Sequence, residues 1–311
     1  RKLTVTWWTN IRFEKSFTYD LAQLLKASGC IAVAGGLEVA SDRLLAMMKK
    51  GVTVAQVACV ADAFTRSGIM VHAYLMYGIP TQTAQETIDA LEMVRQLFDT
   101  GALQSGFWHR FAMTSHSPVG LNPAQFRVQR TGPDFGGFAD NDLYHDDPEG
   151  ANHDLFGDGL SKSLFNYMHG VGLDFPLKQW FDFKTPKTTI PPRYIESCLN
   201  DTIDNVKPTS YVVWLGSIPE INYFEVEKGK KVVQMAELEF HDKKKSWHLH
   251  LPALQGQWLA GIFKQLIISG HTPVTYKNLS NSYISVVSGN LTEFTTTPAW
   301  QQLRANGLLL L

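Results

Sequence analysis

The sequence predicts an α/β protein: strand–helix units stacked into a parallel sheet over residues 1–125, followed by an α+β second half. Three observations predict it. Short apolar runs without polar alternation recur, as in strands covered on both faces. Each is followed by an apolar stripe at helical spacing. A helix start or stop signal marks nearly every junction. Such alternation builds a parallel sheet with right-handed crossovers.

The elements follow in order. Thr4 to Phe13, with Val5, Trp7, Trp8 and Ile11, suits a strand. A helix carries Leu21, Leu24 and Leu25 and stops at Gly29, a residue free to adopt the left-handed C-cap. Cys30 to Val33 is a short apolar strand. Ser41 caps a helix bearing Leu44, Leu45 and Met48, closed by Gly51. Thr53 caps another bearing Val54, Val57, Val60 and Phe64, closed by Gly68. Ile69 to Met76 is the third strand. Thr83-Ala84-Gln85-Glu86 is a capping box, opening a helix with Ile88, Leu91, Val94 and Leu97 that ends at Gly101. Phe107 to Met113 is the fourth strand. Four strands do not close a barrel, so the sheet is open and its first strand leaves an unpaired edge.

From Pro118 the alternation stops. Thr131 to Gly159, rich in Gly, Asp, Asn and Pro, reads as a long irregular connection, and residues 126–200 as a linker or insertion. A helix is expected over Tyr194–Ile203. Antiparallel strands follow at Tyr211–Leu215, Asn222–Glu227, Lys231–Phe240 and Trp247–Leu251, then helices at Leu254–Ser269 and Thr297–Leu308. Residues 201–311 thus form an α+β domain.

Composition narrows the function. The 311 residues are 44% hydrophobic, enough for a sizeable core, and the net charge of −1 sets up no field for nucleic acid or an anionic membrane. No apolar run is long enough to span a bilayer. Cys30, Cys59 and Cys198 are scattered, make no disulfide framework, and point to a reducing cytosol.

The chemistry-bearing residues gather where strands give way to loops, the edge at which α/β sheets and barrels place ligands. In Gly35-Gly36-Leu37-Glu38-Val39-Ala40-Ser41, Gly36 permits close approach of a ligand. Glu38 can accept from an ammonium or a ribose hydroxyl, or can be a solvated residue of a tight turn. In Tyr77-Gly78-Ile79-Pro80-Thr81, the loop either presents free backbone groups to a ligand or only launches the next helix. Arg12 can bind a carboxylate or pair with Glu14. Trp108, His109, Arg110, His116 and Ser117 close the fourth strand, where His109 is either a ligand contact or a packed residue. The acidic run Asp140, Asp142, His145, Asp146, Asp147, Glu149, His153 and Asp154 lacks calcium-loop spacing and reads as a solvated loop. His241, His248 and His250 flank Lys243–Lys245 on a hairpin, a turn signal with little support for metal.

Taken together, "TNIRFE", "ASGC", "GGLEVAS", "LLAMMKKGVT", "GIMVHAYLMYGIPTQT" and "FWHRFAMTSHSP" resemble, in order and spacing, the later strands of a radical S-adenosylmethionine (SAM) barrel. The resemblance is to the subgroup with an upstream cobalamin-binding domain, and covers about the first 40% of the chain. It implies a partial (β/α) barrel in which Gly36, Glu38 and Ser41 hold the ribose and methionine of SAM. Tyr77, Gly78, Pro80 and Thr81 would contact adenine through backbone groups, Arg12 would face the methionine carboxylate, and His109 would meet cofactor or substrate. The family also needs a 4Fe–4S cluster on a CxxxCxxC motif, which is absent here. The chain is therefore expected to be the C-terminal piece of a larger enzyme, inactive alone, its partner being the upstream part of the same polypeptide and its substrate a small molecule or peptide. Two rivals stand beside this: a cluster-less module binding a nucleotide or peptide, and a complete enzyme using Glu38 and His109 for acid–base chemistry.

Overall fold

The computed structural model describes residues 4–133, 141–200, 206–242, 245–268 and 272–311. The expected end of the Tyr194 helix at Ile203, Ser269, Asp140, Lys243 and Lys244 lie outside the described residues. The chain forms two units, one of Arg1–Tyr19 with Gly29–Thr202, the other of Asp20–Ser28 with Ile203–Leu311. It is a mixed α/β protein with one parallel sheet and several antiparallel ones.

The first unit is built on four parallel strands, β1 (Trp7–Ile11), β2 (Cys30–Glu38), β3 (Met70–Tyr77) and β4 (Ser105–Arg110), which neighbour one another in sequence order. An unreversed order of this kind is singly wound; a doubly wound sheet reverses at a switch point. The connections are α1 (Tyr19–Ala27), α2 (Asp42–Met47), α3 (Val54–Arg66) and α4 (Ala84–Asp99). Ser41, Thr53 and Thr83 cap α2, α3 and α4 with their side chains, and Thr83 with Glu86 closes the capping box. Helix α1 was expected beside the other crossover helices, but Asp20–Ser28 groups with the second unit.

Alternation along the strands sorts two faces. One is buried: Val33, Leu37, Val71, Ala73, Leu75 and Trp108 point into it. Gly35 is required there, because an added Cβ would lie 2.6 Å from the ring of the fully buried Phe13. The other face is bare. The register aligns Trp8 with Ala32 and Met70, and Gly36 with Tyr74 and Phe107. Trp8 is 65% exposed, Met70 56%, Tyr74 38% and Phe107 54%. Parallel sheets are ordinarily covered on both faces; this one is covered on one.

Beyond β4 the chain was expected to run irregularly, and the fourth strand to reach Met113. The strand instead ends at Arg110. Two-residue β5 (Met113–Thr114), α5 (Pro118–Leu121), β6 (Gln129–Thr131) and β7 (Asp142–Asp146) follow, the strands making an antiparallel sheet around Met113, Val119, Val128 and Leu143. Next come α6 (Gly157–Met168), which packs on β4, and α7 (Tyr194–Asn200), which packs on α3 and α4. Two glycines in the first turn of α6 hid it from a propensity reading. Gly159 is needed because a side chain there would collide with the Phe181 ring.

The second unit has two antiparallel sheets. One orders β9 (Glu220–Lys228), β10 (Lys231–His241) and β11 (Ser246–Pro252) as a meander. The other sets β8 (Tyr211–Trp214) between β12 (Val274–Thr275) and β13 (Leu308–Leu310). Helices α8 (Ala253–Leu266), α9 (Tyr276–Val287), α10 (Leu291–Thr295) and α11 (Pro298–Ala305) complete it. Its core is aromatic: Phe240 stacks on Trp247 at 3.9 Å, and Trp214 meets Phe263 at 4.6 Å. Buried Asp20 of α1 accepts from Arg304 and from the Leu310 N–H, each at 2.7 Å. Among the described residues, no helix is long and apolar enough to cross a membrane.

Candidate functional site

The loops that leave the C-terminal ends of β2, β3 and β4 hold most of the candidate residues. At the end of β2 the register breaks between Gly36 and Glu38, and Glu38 and Ala40 both adopt left-handed backbone, with φ of 61° and 44°. Left-handed non-glycine residues cost free energy and persist where surroundings impose them. The Glu38 side chain folds back over Gly36, so that any Cβ on Gly36 would strike its carboxylate. That carboxylate, largely buried, takes a 2.6 Å ion pair from Lys50. Arg12 donates to the Lys50 carbonyl and lies 3.9 Å from Glu14. Arg12, Lys50 and Glu38 are thus linked in series, by a backbone carbonyl and an ion pair.

The loop after β3 is fastened by Gln82, Asp147 and Arg43. Gln82 Oε1 accepts from the N–H groups of Gly78 (2.8 Å) and Ile79 (3.1 Å). Thr81, left-handed at φ 67°, donates its N–H to Asp147 at 2.7 Å. Arg43 donates to the Thr81 hydroxyl at 3.1 Å and to its carbonyl at 3.0 Å. The same guanidinium holds Glu86 by two bonds of 2.6 and 2.7 Å. Ser41, besides capping α2, donates to Glu86 at 3.5 Å. The N–H groups of Gly78, Ile79 and Thr81, expected to meet an adenine edge, are therefore already engaged.

Electrostatics match this geometry. Burial raises the Glu86 carboxyl, but the bonds from Arg43 and Thr83 together outweigh it and hold it below its ordinary range. The Glu86 bond raises the Arg43 guanidinium in turn. His153 is buried and its imidazole is pushed down, chiefly by that burial. Its Nε2 donates to the Gln82 carbonyl, 3.0 Å away, since a carbonyl oxygen can only accept. His153 Nδ1 and Gln82 Nε2 are buried without protein partners, the polar atoms here left for water or a ligand. Burial likewise raises the Tyr77 phenol, which lies edge-on to Trp108 at 6.4 Å.

The acidic run is thus only partly a solvated loop: Asp147 and His153 are structural ties to the β3 loop. His109 stands apart, exposed on the bare face, its ring tilted against Phe107 with centroids 4.4 Å apart. On the hairpin, His248 and His250 pair with Glu237 at 3.2 and 3.0 Å, and His241 with Glu239 at 3.5 Å. Among the described residues no group of three or more His, Cys, Asp or Glu is placed to hold a metal. Arg43, and the tie made by Asp147, escaped the sequence reading because they meet their partners across 38–66 residues, a separation no local pattern encodes; the Gln82 contacts span only three and four residues and were a local signal left unread.

Beside this loop, over the ends of β3 and β4, opens a cavity of about 380 Å³ with walls of Met47, Met48, Ile79, Pro80, Phe111 and Phe126.

No family model matches the chain, and no curated protein matches it. Among solved structures, a partial similarity is found to the radical S-adenosylmethionine methyltransferase TsrM from Kitasatospora setae, with cobalamin and a [4Fe-4S] cluster bound. The identity is 16% and the TM-score 0.38, over 51% of this chain and 36% of that one. The similarity thus spans about a third of that protein's length.

Proposed function

We propose that the first unit is the later wall of a radical SAM-type (β/α) barrel, and that the protein it serves cleaves SAM reductively to begin radical chemistry on a substrate. One observation carries the reading: a singly wound parallel sheet, bare on its aromatic face, with most of the candidate residues at the strands' C-terminal ends. In a closed barrel the face away from the helices is the lumen, filled by side chains from all the strands. Trp8, Met70, Tyr74 and Phe107 are side chains of lumen type, and upstream strands of the same polypeptide would cover them.

The residues fit SAM in part. By the resemblance, Glu38 and Ser41 would hold the ribose and methionine once the Glu38 carboxylate swings off Gly36, which it now covers. The orphaned Gln82 amide and His153 nitrogen are polar groups available nearby. When bound at a reduced cluster, SAM supplies the radical that abstracts hydrogen; this chain's residues orient it and exclude water. The residues do not fit the cluster itself. Cys30 is buried in β2, Cys59 lies on α3 and Cys198 on α7, so cluster ligands would have to come from outside this chain, and no step is assigned to these thiols. Cobalamin, expected from the same resemblance, is assigned no residue of this chain.

The test is to express the protein with its upstream sequence, reconstitute it with iron and sulfide, and supply SAM and dithionite. 5′-Deoxyadenosine is the expected product, reduced at least tenfold by Glu38→Gln. No 5′-deoxyadenosine from protein carrying a formed cluster would overturn the reading.

A further inference from the structure

The cavity beside the β3 loop carries information about charge as well as shape. Its volume of about 380 Å³ lies at the small end of ligand pockets, room for one or two rings. Two methionines give it an adaptable wall, and Phe111 with Phe126 offers flat faces for stacking. Its polar side chains are Lys49, Ser117 and Gln125. The Ser117 hydroxyl donates to the Thr114 carbonyl at 2.7 Å and accepts from the Gly120 N–H at 3.0 Å, so it is largely used within the protein. Among the residues lining the cavity, Lys49 alone is charged, and it is exposed at the end of α2.

An ammonium at an apolar cavity favours an anion and disfavours a cation. SAM bears a sulfonium, an ammonium and one carboxylate, a net positive charge, and so is poorly matched to this place. We infer that the cavity binds a second ligand: a one- or two-ring aromatic group carrying a single negative charge, its ring between Met48, Phe111 and Phe126 and its anion toward Lys49. The inference rests on the proposed function only in making this ligand the substrate; the binding itself follows from the cavity.

Two dyes of one shape test it in the 311-residue chain. 1-Anilinonaphthalene-8-sulfonate carries the anion, and N-phenyl-1-naphthylamine is its neutral counterpart. The anionic dye is expected to bind more tightly. Lys49→Glu should weaken it about fivefold, as for an exposed charge contact, while changing the neutral dye less than twofold. Val119→Trp, which fills the cavity, should weaken both at least tenfold, and Phe107→Ser on the bare sheet face should leave both in place. Lys49 is on the surface, so its variant folds even where the filled cavity does not. Three results would overturn the inference: Lys49→Glu affecting both dyes equally or neither; loss of both dyes in Phe107→Ser; or displacement of the sulfonate by S-adenosylhomocysteine, which would make the cavity a nucleoside site. Absence of 5′-deoxyadenosine together with the expected dye pattern would refute the proposed function and leave this inference standing.

Discussion

Replacing Arg43 by alanine removes four hydrogen bonds at one stroke, two on Glu86 and two on Thr81. The Arg43 side chain is 52% exposed and the Glu86 side chain 20%, so the ion pair is worth about 1 kcal/mol, the upper end for surface pairs. Each bond to Thr81 adds on the order of 0.5 kcal/mol, since water can replace part of what is lost. Thr81 then sits at φ 67° with only Asp147 to hold it, a backbone state that itself costs about 1 kcal/mol or more. The loop's local opening should therefore become easier by about 2 kcal/mol, which speeds amide exchange roughly 30-fold. Hydrogen–deuterium exchange followed by mass spectrometry on a peptide spanning residues 78–87 reads this directly. Arg43→Lys keeps the charge but not the two-pronged geometry, and should recover less than half of the protection. Exchange within threefold of the parent chain in Arg43→Ala would refute the claim that Arg43 holds this loop.

Three further outcomes are expected. Asp20→Ala leaves the Arg304 guanidinium and the Leu310 N–H without their shared acceptor, and should destabilise the second unit by about 3 kcal/mol in urea unfolding. Burial lowers the His153 pKa, so the unfolded chain takes up a proton first; stability is full above the ordinary histidine value of about 6.5 and falls as pH drops below it. His153→Gln should flatten the urea-midpoint slope between about pH 6.5 and pH 5, part of which remains because burial also lowers His72. Phe107→Ser should change the stability of this chain by less than about 0.5 kcal/mol, because the residue is 54% exposed on the bare face.

What the sequence disclosed was local. Ser41, Thr53 and Thr83 were readable as caps because a cap is a contact between residues three apart, and with them came the order of the first four strands. Glu38 and Ser41 were readable as a strand end followed by a helix start. Four helices were not: α5 and α10 are only four and five residues long, α6 begins with glycines, of which Gly159 serves packing against Phe181, and α9 buries only Leu279 and Tyr283 in a polar stretch. The grouping of α1 with the second unit depends on Asp20 meeting Arg304, 284 residues away. The engaged Thr81 N–H was equally out of reach, since Asp147 looks like an ordinary loop residue until the chain brings it in; Gln82, three and four residues from the N–H groups it holds, was a local signal left unread. The bare sheet face was legible only as four strands too few to close, since alternation does not say which side is covered.

The measurement that bears most directly on the central claim is hydroxyl-radical footprinting of that face. Trp8, Met70, Tyr74 and Phe107 should oxidise readily in the 311-residue chain and several-fold more slowly in the protein that carries its upstream strands, because those strands would turn the face into a lumen. Equal reactivity in the two proteins would contradict the account: the sheet would then be open by nature, and the half-barrel reading would fall with it.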